Sequence, residues 1–318
     1  MIKYVIKRLL IMIPILIGIC FIVQILISVA PGDPALIIAG AGLEDWEYEK
    51  IREELGINDP FLTRFWNFMS GVLRGDLGVS FRSKRPIWDD IMTRFPYTVI
   101  LATLSVALST LIGIPLGVYA ATHQYSWKDN SAIFASLICV SMPGFWFALL
   151  LVQLFSVRLQ WLPVAGIQSW RGWILPILSL ALGFAASTSR QMRSNMLEVI
   201  RQDYIVTARA KGQNERTIKY RHALKNALIP VIMTVGGQFG MALGGALIAE
   251  MIFSVPGLGF YSLSGLSNRD YPVIQSSVLF MSVIFCLMIL LIDIVFAFID
   301  PRIRSQYVRK RRPTREGA

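Results

Sequence analysis

This sequence predicts an all-α integral membrane protein with six transmembrane helices, and three observations carry that reading. Hydrophobic residues make up 54% of the chain and charged residues only 16%, which is low for a soluble domain. Mean hydropathy is clearly positive, at +0.56. The apolar residues also gather into six runs, at residues 9–30, 98–121, 132–156, 173–191, 228–253 and 273–299. At about 1.5 Å per residue, each run can cross a hydrocarbon core of roughly 30 Å.

The first run follows Lys3, Lys7 and Arg8 and ends at Ser28-Val29-Ala30, so its outline is that of a signal peptide. It exceeds the usual apolar core of about 7–15 residues, however, and Pro31 stands where cleavage would fall, so a retained helix is expected. Pro31-Gly32-Asp33-Pro34 then stops the helix. Residues 31–97 form a long, partly helical segment between the first two spans. Within it, residues 44–55 read as a charged helix ended by Gly56 and Asp59-Pro60. Residues 61–73 place Phe61, Phe65, Phe68, Met69 and Val72 at helical spacing, and Gly71, Gly75 and Gly78 break the remainder into turns. Such a segment is too small for a large core of its own, and is expected to cap the mouth of the membrane domain or to meet a partner chain.

The chain thus divides into a first helix (1–30), an external segment (31–97), a five-helix core (98–300) that contains a loop at 190–227, and a basic tail (301–318). Short loops decide orientation through their Lys and Arg content. Loops 122–131 and 190–227, with the two termini, hold most of the 31 basic residues, whereas those of residues 31–97 are balanced by acidic ones. Both termini are therefore expected in the cytoplasm. The net charge of +11 follows from this bias and from anionic lipid rather than from nucleic-acid binding. The run Arg309-Lys310-Arg311-Arg312 reads as a lipid-facing anchor. Cys20, Cys139 and Cys286 fall inside spans without metal-ligand spacing, and His123 and His222 are too far apart to suggest a metal site.

Within the spans, Gly236, Gly240 and Gly244 recur every four residues, and Gly113 and Gly117 repeat the device. Small residues at that spacing permit close helix packing; lining a wide pathway is the other reading. Glu250 and Asp293 are costly in lipid and should face protein or water. Glu250 lies near the end of its span, where solvation is one outcome. Asp293 is the better candidate for a polar contact between helices, with a substrate role open for either.

The loop at 190–227 is long for a connector. Residues 196–211 contain few helix breakers, Gly212 can supply a left-handed residue that ends a helix, and Asn214 can cap a second helix beginning at Glu215. Two short helices and a glycine turn make a knob whose Arg209, Lys211, Gln213, Asn214 and Arg216 suit contact with a protein. By composition alone, an amphipathic helix resting on lipid fits equally.

The stretch Tyr204-Ile-Val-Thr-Ala-Arg-Ala-Lys-Gly212, followed by Arg221-His-Ala-Leu-Lys-Asn-Ala-Leu-Ile-Pro230, resembles the EAA loop of permease subunits of bacterial ABC importers, in the dipeptide, oligopeptide and nickel branch. Tyr4-Val-Ile-Lys-Arg-Leu-Leu10, Pro31-Gly-Asp-Pro34, Leu55-Gly56, Gly75-Asp-Leu-Gly78, Trp161-Leu-Pro163, Phe253-Ser-Val-Pro-Gly-Leu-Gly259, Asp270-Tyr-Pro-Val-Ile274 and Asp300-Pro-Arg302 extend the likeness over almost the whole chain. Val206 departs from the broader pattern where a Glu would stand, and Lys225 where a Pro often closes the motif.

The resemblance implies a type I ABC-importer permease fold in the bacterial inner membrane, with no cofactor or catalytic residue on this chain. It implies a second permease, two ATPase subunits carrying ATP and Mg, and an extracytoplasmic substrate-binding protein. Thr207, Ala208, Arg209, Ala210, Lys211, Gly212, Gln213, Asn214 and Glu215 would couple to the ATPase. The substrates implied are di- or oligopeptides, with glutathione and nickel chelates as alternatives. No phosphate-binding loop of the G-x-x-x-x-G-K-[ST] type occurs in the sequence. A secondary transporter would call for an internal repeat and paired buried charges, and a membrane enzyme for converging catalytic residues; neither pattern stands out.

Overall fold

The structure is a computed structural model that describes residues 2–39 and 44–299; the basic tail from 301 onward lies outside the described residues. Helix α1 (Ile2–Val29) is followed by α2 (Pro34–Ala39), α3 (Asp45–Glu54) and α4 (Phe61–Leu73). Next come α5 (Ile87–Thr122), α6 (Trp127–Ser141), and α7 (Gly144–Leu151), which continues as a π-helical stretch over Val152–Arg158. Helix α8 (Arg171–Ile200) leads to α9 (Asp203–Ala210). Then α10 (Glu215–Thr217) runs through a π-helical stretch, Ile218–Ala223, into α11 (Leu224–Gly245). Helices α12 (Leu247–Ile252), α13 (Leu258–Ser267) and α14 (Tyr271–Ile299) complete the order.

Among the described residues five helices are long and apolar enough to cross a membrane, and six spans result if the bent pair α6–α7 counts as one. That bend corrects the expectation of a straight third helix at 132–156. The two halves meet at 103°, because Pro143 forces Met142 out of helical conformation (ψ 131°) and Gly144 starts a new helix. The fifth span is also interrupted, at Ala246, after a Gly244-Gly245 pair that weakens the helix. Other helices extend beyond their apolar runs. Helix α5 begins at Ile87 rather than at 98, and α8 continues to Ile200, so residues 190–200 extend that helix instead of starting the loop as separate structure.

Helices α5 and α8 form the most extensive helix pair. A Cβ on Gly113 would sit 2.8 Å from the Ala185 carbonyl oxygen, and one on Gly117 2.4 Å from that of Ser189, so these glycines set how closely the backbones approach. Helix α5 has 36 residues and spans roughly 54 Å. One apolar cluster, containing Ile87, Ile91, Leu258, Tyr261 and Val273, lies at its start. Another, containing Val118, Ala121, Met192, Met196, Ile205 and Ile218, lies at its end. These two clusters mark the far end and the loop end of the bundle. Helix α4 packs on α1 through edge-to-face contacts of Phe21 with Phe61 and Phe65, with ring centroids 5.4 and 5.5 Å apart.

Candidate functional site

The loop end carries a helical hairpin. Its first arm is α9, shorter than the 196–211 expectation because the chain breaks at Arg201 and the extended Gln202 (ψ 149°). The break turns Ile205 inward, where it is fully buried with Ile218, Ala223 and Ala227 against Met192 and Met196 of α8. The second arm does not stop at Pro230. It continues as one path into α11, and Pro230 lies within that helix.

The turn between the arms is held by its backbone. Gly212 has φ +76°, in the left-handed region. The Gly212 amide donates to the Arg209 carbonyl at 3.0 Å and the Gln213 amide to the Ala208 carbonyl at 3.3 Å. This pair of bonds is the Schellman arrangement, which satisfies two carbonyls at the helix end. Asn214 accepts from the Arg216 amide at 3.0 Å and caps the second arm. Across the turn, Arg209 Nε donates to Glu215 Oε1 at 2.6 Å. The Arg209 guanidinium holds the Glu215 carboxyl below its ordinary range, and Glu215 in turn raises Arg209. Farther down, Asn226 Nδ2 donates to the Tyr204 hydroxyl at 2.8 Å and ties the arms together.

Thr207, Arg209, Ala210, Lys211, Gly212, Gln213, Asn214 and Glu215 are exposed, while Ala208 is half-buried against the apolar cluster. The hairpin therefore shows a polar rim and plants an apolar base on the ends of α5 and α8. Two polar ties that the sequence reading missed strengthen this base. Arg193 of α8 meets Asp129 of α6 in a two-pronged ion pair at 2.6 and 2.7 Å, with Asp129 only 1% exposed. Asn195 of α8 donates to the Ala227 carbonyl at 3.3 Å. Arg193 and Asp129 are 64 residues apart and follow no motif, so no local signal pairs them.

The membrane glycines face α14. A Cβ on Gly236 would meet Ile292 at 2.7 Å and one on Gly240 would meet Phe285 at 3.3 Å, whereas Gly244 has room, with Phe285 at 3.9 Å. Gln238 Nε2, also unremarked in the sequence, donates to the Phe184 carbonyl at 3.2 Å and the Thr188 hydroxyl at 3.1 Å, joining α11 to α8. Asp293 accepts from the Tyr4 hydroxyl at 2.9 Å and pairs with Arg8 at 2.8 Å, so it links α14 to α1.

Solvation of Glu250 is corrected: its relative exposure is 0%. One carboxylate oxygen accepts from the Thr98 hydroxyl at 2.6 Å, and the other from the Phe260 amide at 2.9 Å. Thr98 accepts in turn from the Leu258 amide at 2.9 Å. The carboxylate thus caps the first turn of α13, where backbone amides are unpaired and the helix dipole favours negative charge. Neither histidine approaches a metal arrangement; no group of three or more His, Cys, Asp or Glu able to hold a metal occurs among the described residues.

Comparison with known proteins gives the same outline. Residues 113–305 match the family "Binding-protein-dependent transport system inner membrane component", and residues 1–102 match its N-terminal domain. The chain is 40% identical over 304 residues to the glutathione transport system permease protein GsiC of Escherichia coli K12, covering 96% of this chain and 99% of that protein. The GsiC protein of Pectobacterium atrosepticum matches with the same identity and coverage. Among solved structures, an amino acid ABC transporter crystallised with histidines matches with a TM-score of 0.51 at 15% identity, covering 67% of this chain and 94% of that one, which speaks to the fold alone. Such subunits work in the inner membrane alongside a partner permease, an ATPase and a substrate-binding protein. The chain belongs to the binding-protein-dependent inner-membrane component family, and is a multi-pass permease subunit of an ABC importer whose ATP hydrolysis resides on a separate subunit.

Proposed function

We propose that this chain forms, with a second permease, the pathway for small peptides including glutathione, and that residues 207–215 receive the stroke of the ATPase. The observation that carries the coupling is the two-sidedness of the hairpin. Its rim is exposed, with an open Gly212 turn, while Ile205 and Ile218 are buried among Val118, Ala121, Met192 and Met196. A push on the rim passes into the ends of α5 and α8 through packed side chains, and into α6 through the Arg193–Asp129 pair. ATP and Mg act on two ATPase subunits at the loop end, which lies in the cytoplasm with both termini. The binding protein delivers substrate at the far end.

Glutathione-sized peptides are favoured over nickel chelates because the GsiC relatives, alike along nearly the whole chain, are glutathione permeases. Gly236, Gly240, Gly244, Glu250 and Asp293 serve helix packing in this reading rather than substrate contact. The test is uptake by the complete importer in proteoliposomes. ATP-dependent uptake of glutathione, competed by short peptides and not by a nickel chelate, is expected. Uptake that persists without ATP under an ion gradient would instead favour a secondary transporter.

A further inference from the structure

At the far end of the bundle a polar cleft of about 390 Å³ opens between α13 and a turn at residues 80–85. The turn is rigid. Ser80 donates from its amide to the Arg85 carbonyl at 3.0 Å. Asp270, only 4% exposed, accepts from the Ser80 hydroxyl at 2.6 Å and from the Phe81 and Arg82 amides at 3.1 and 3.2 Å. The other carboxylate in the cleft, Asp90, accepts from the Tyr261 hydroxyl at 3.1 Å and faces Arg85 at 3.7 Å. Both acidic groups are thus supplied with donors by the protein itself.

The arginines of the cleft are not matched in the same way. The Arg82 side chain donates to the side-chain oxygen of Asn268, a neutral acceptor. Arg94 lies 4.6 Å from the centroid of the Tyr261 ring. Neither is ion-paired among the described residues. Two guanidinium groups therefore flank one open cleft with fork-shaped donors to spare, the geometry that binds a carboxylate. Arg82 and Lys84 are exposed on the turn, so positive charge continues from the cleft onto the surrounding surface.

We propose that this cleft and its basic turn receive an Asp or Glu side chain of the substrate-binding protein; this rests on the proposed importer function, which supplies that partner. Charge spread over an exposed, rigid rim suits a partner surface, because it steers encounter as well as holding one carboxylate. A carboxylate carried on a surface loop also enters and leaves with its protein, as a partner that releases after delivery must.

The experiment uses the whole importer in lipid nanodiscs and the purified binding protein, at equal amounts of assembled complex. Arg82→Glu is expected to raise the Kd of the binding protein roughly tenfold at low salt, and to flatten the loss of affinity that added salt causes in the unaltered importer. Arg94→Gln, which removes the guanidinium over the Tyr261 ring but keeps a polar side chain, is expected to shift Kd in the same direction by a smaller factor. Unchanged Kd in both variants would overturn the proposal. So would unchanged Kd with a raised KM for substrate, since the cleft would then hold the substrate's own carboxylate. If the unaltered importer binds no binding protein at all, the proposed importer function fails, and this inference fails with it.

Discussion

The two ends of the bundle each turn the chain on glycine, and they do so for opposite reasons. At the loop end, Gly212 has φ +76° and nothing within 4 Å of where a Cβ would stand, so its constraint is conformational. At the far end, Gly257 has φ −88°, which any residue adopts, but a Cβ there would lie 2.2 Å from Glu250 Oε1. Its constraint is space. The loop-end turn is anchored from below and open above, which is the geometry the proposed contact with an ATPase requires. The far-end turn is closed around a fully buried carboxylate and serves as a fixed point. The same residue type thus marks an open turn at one end and a closed structural anchor at the other.

The largest effect expected from this contrast is at the far end. Gly257→Ala must displace a carboxylate that is hydrogen-bonded on both oxygens, at about 3 kcal/mol of stability. Membrane abundance and melting temperature in detergent should both fall. Abundance equal to that of the unaltered chain would show that the Glu250 cage does not hold the fold. Glu250→Ala, which leaves the Thr98 hydroxyl and the Phe260 amide without their acceptor, should cost about 2 kcal/mol, and Glu250→Gln less.

Next comes Gly212→Val, where a β-branched residue in the left-handed region costs roughly 1–2 kcal/mol locally. No neighbour is displaced, so abundance should remain near normal while uptake per ATP hydrolysed declines. Ala208→Asp should have a similar outcome, since it places a charge on the half-buried face of α9. Normal uptake at normal abundance in both variants would defeat the coupling assignment and leave the hairpin as a passive cap.

The smallest effect is at the Arg209–Glu215 pair, which is exposed and screened by solvent. Because Arg209 depresses the Glu215 carboxyl, the pairing is present above the ordinary carboxylate range and is lost as pH falls through the depressed value. Near neutral pH the pair should therefore be insensitive to pH. Glu215→Gln should leave melting unchanged, and a clear drop in melting temperature at neutral pH would show that the pair carries more of the turn than its exposure suggests.

The spans were legible because lipid demands long apolar runs, and the hairpin because its signals are local. Gly212, Asn214 and Glu215 lie within four positions of one another and act on their own backbone. The bend at Pro143 carried a local mark as well, in Met142-Pro143-Gly144, but apolar composition runs unbroken through it and masks the change of direction. The burial of Glu250 had no such mark. Thr98 is 152 residues away in the chain, and proximity to the end of a span reads as solvation until a second helix is seen to close over it.

From its residues alone, this chain was committed to a helical membrane protein, to the order of its spans and to a glycine-capped hairpin at the loop. Those features follow from hydropathy and from hydrogen bonds between near neighbours. Tertiary structure alone decided which polar groups meet across the bundle. Asp129 with Arg193, Glu250 with Thr98, Asp293 with Arg8, and the Asp270 clasp on the basic turn each join residues 64 or more positions apart. A buried charge needs a partner but does not specify which one, and only the packing of the helices makes that choice.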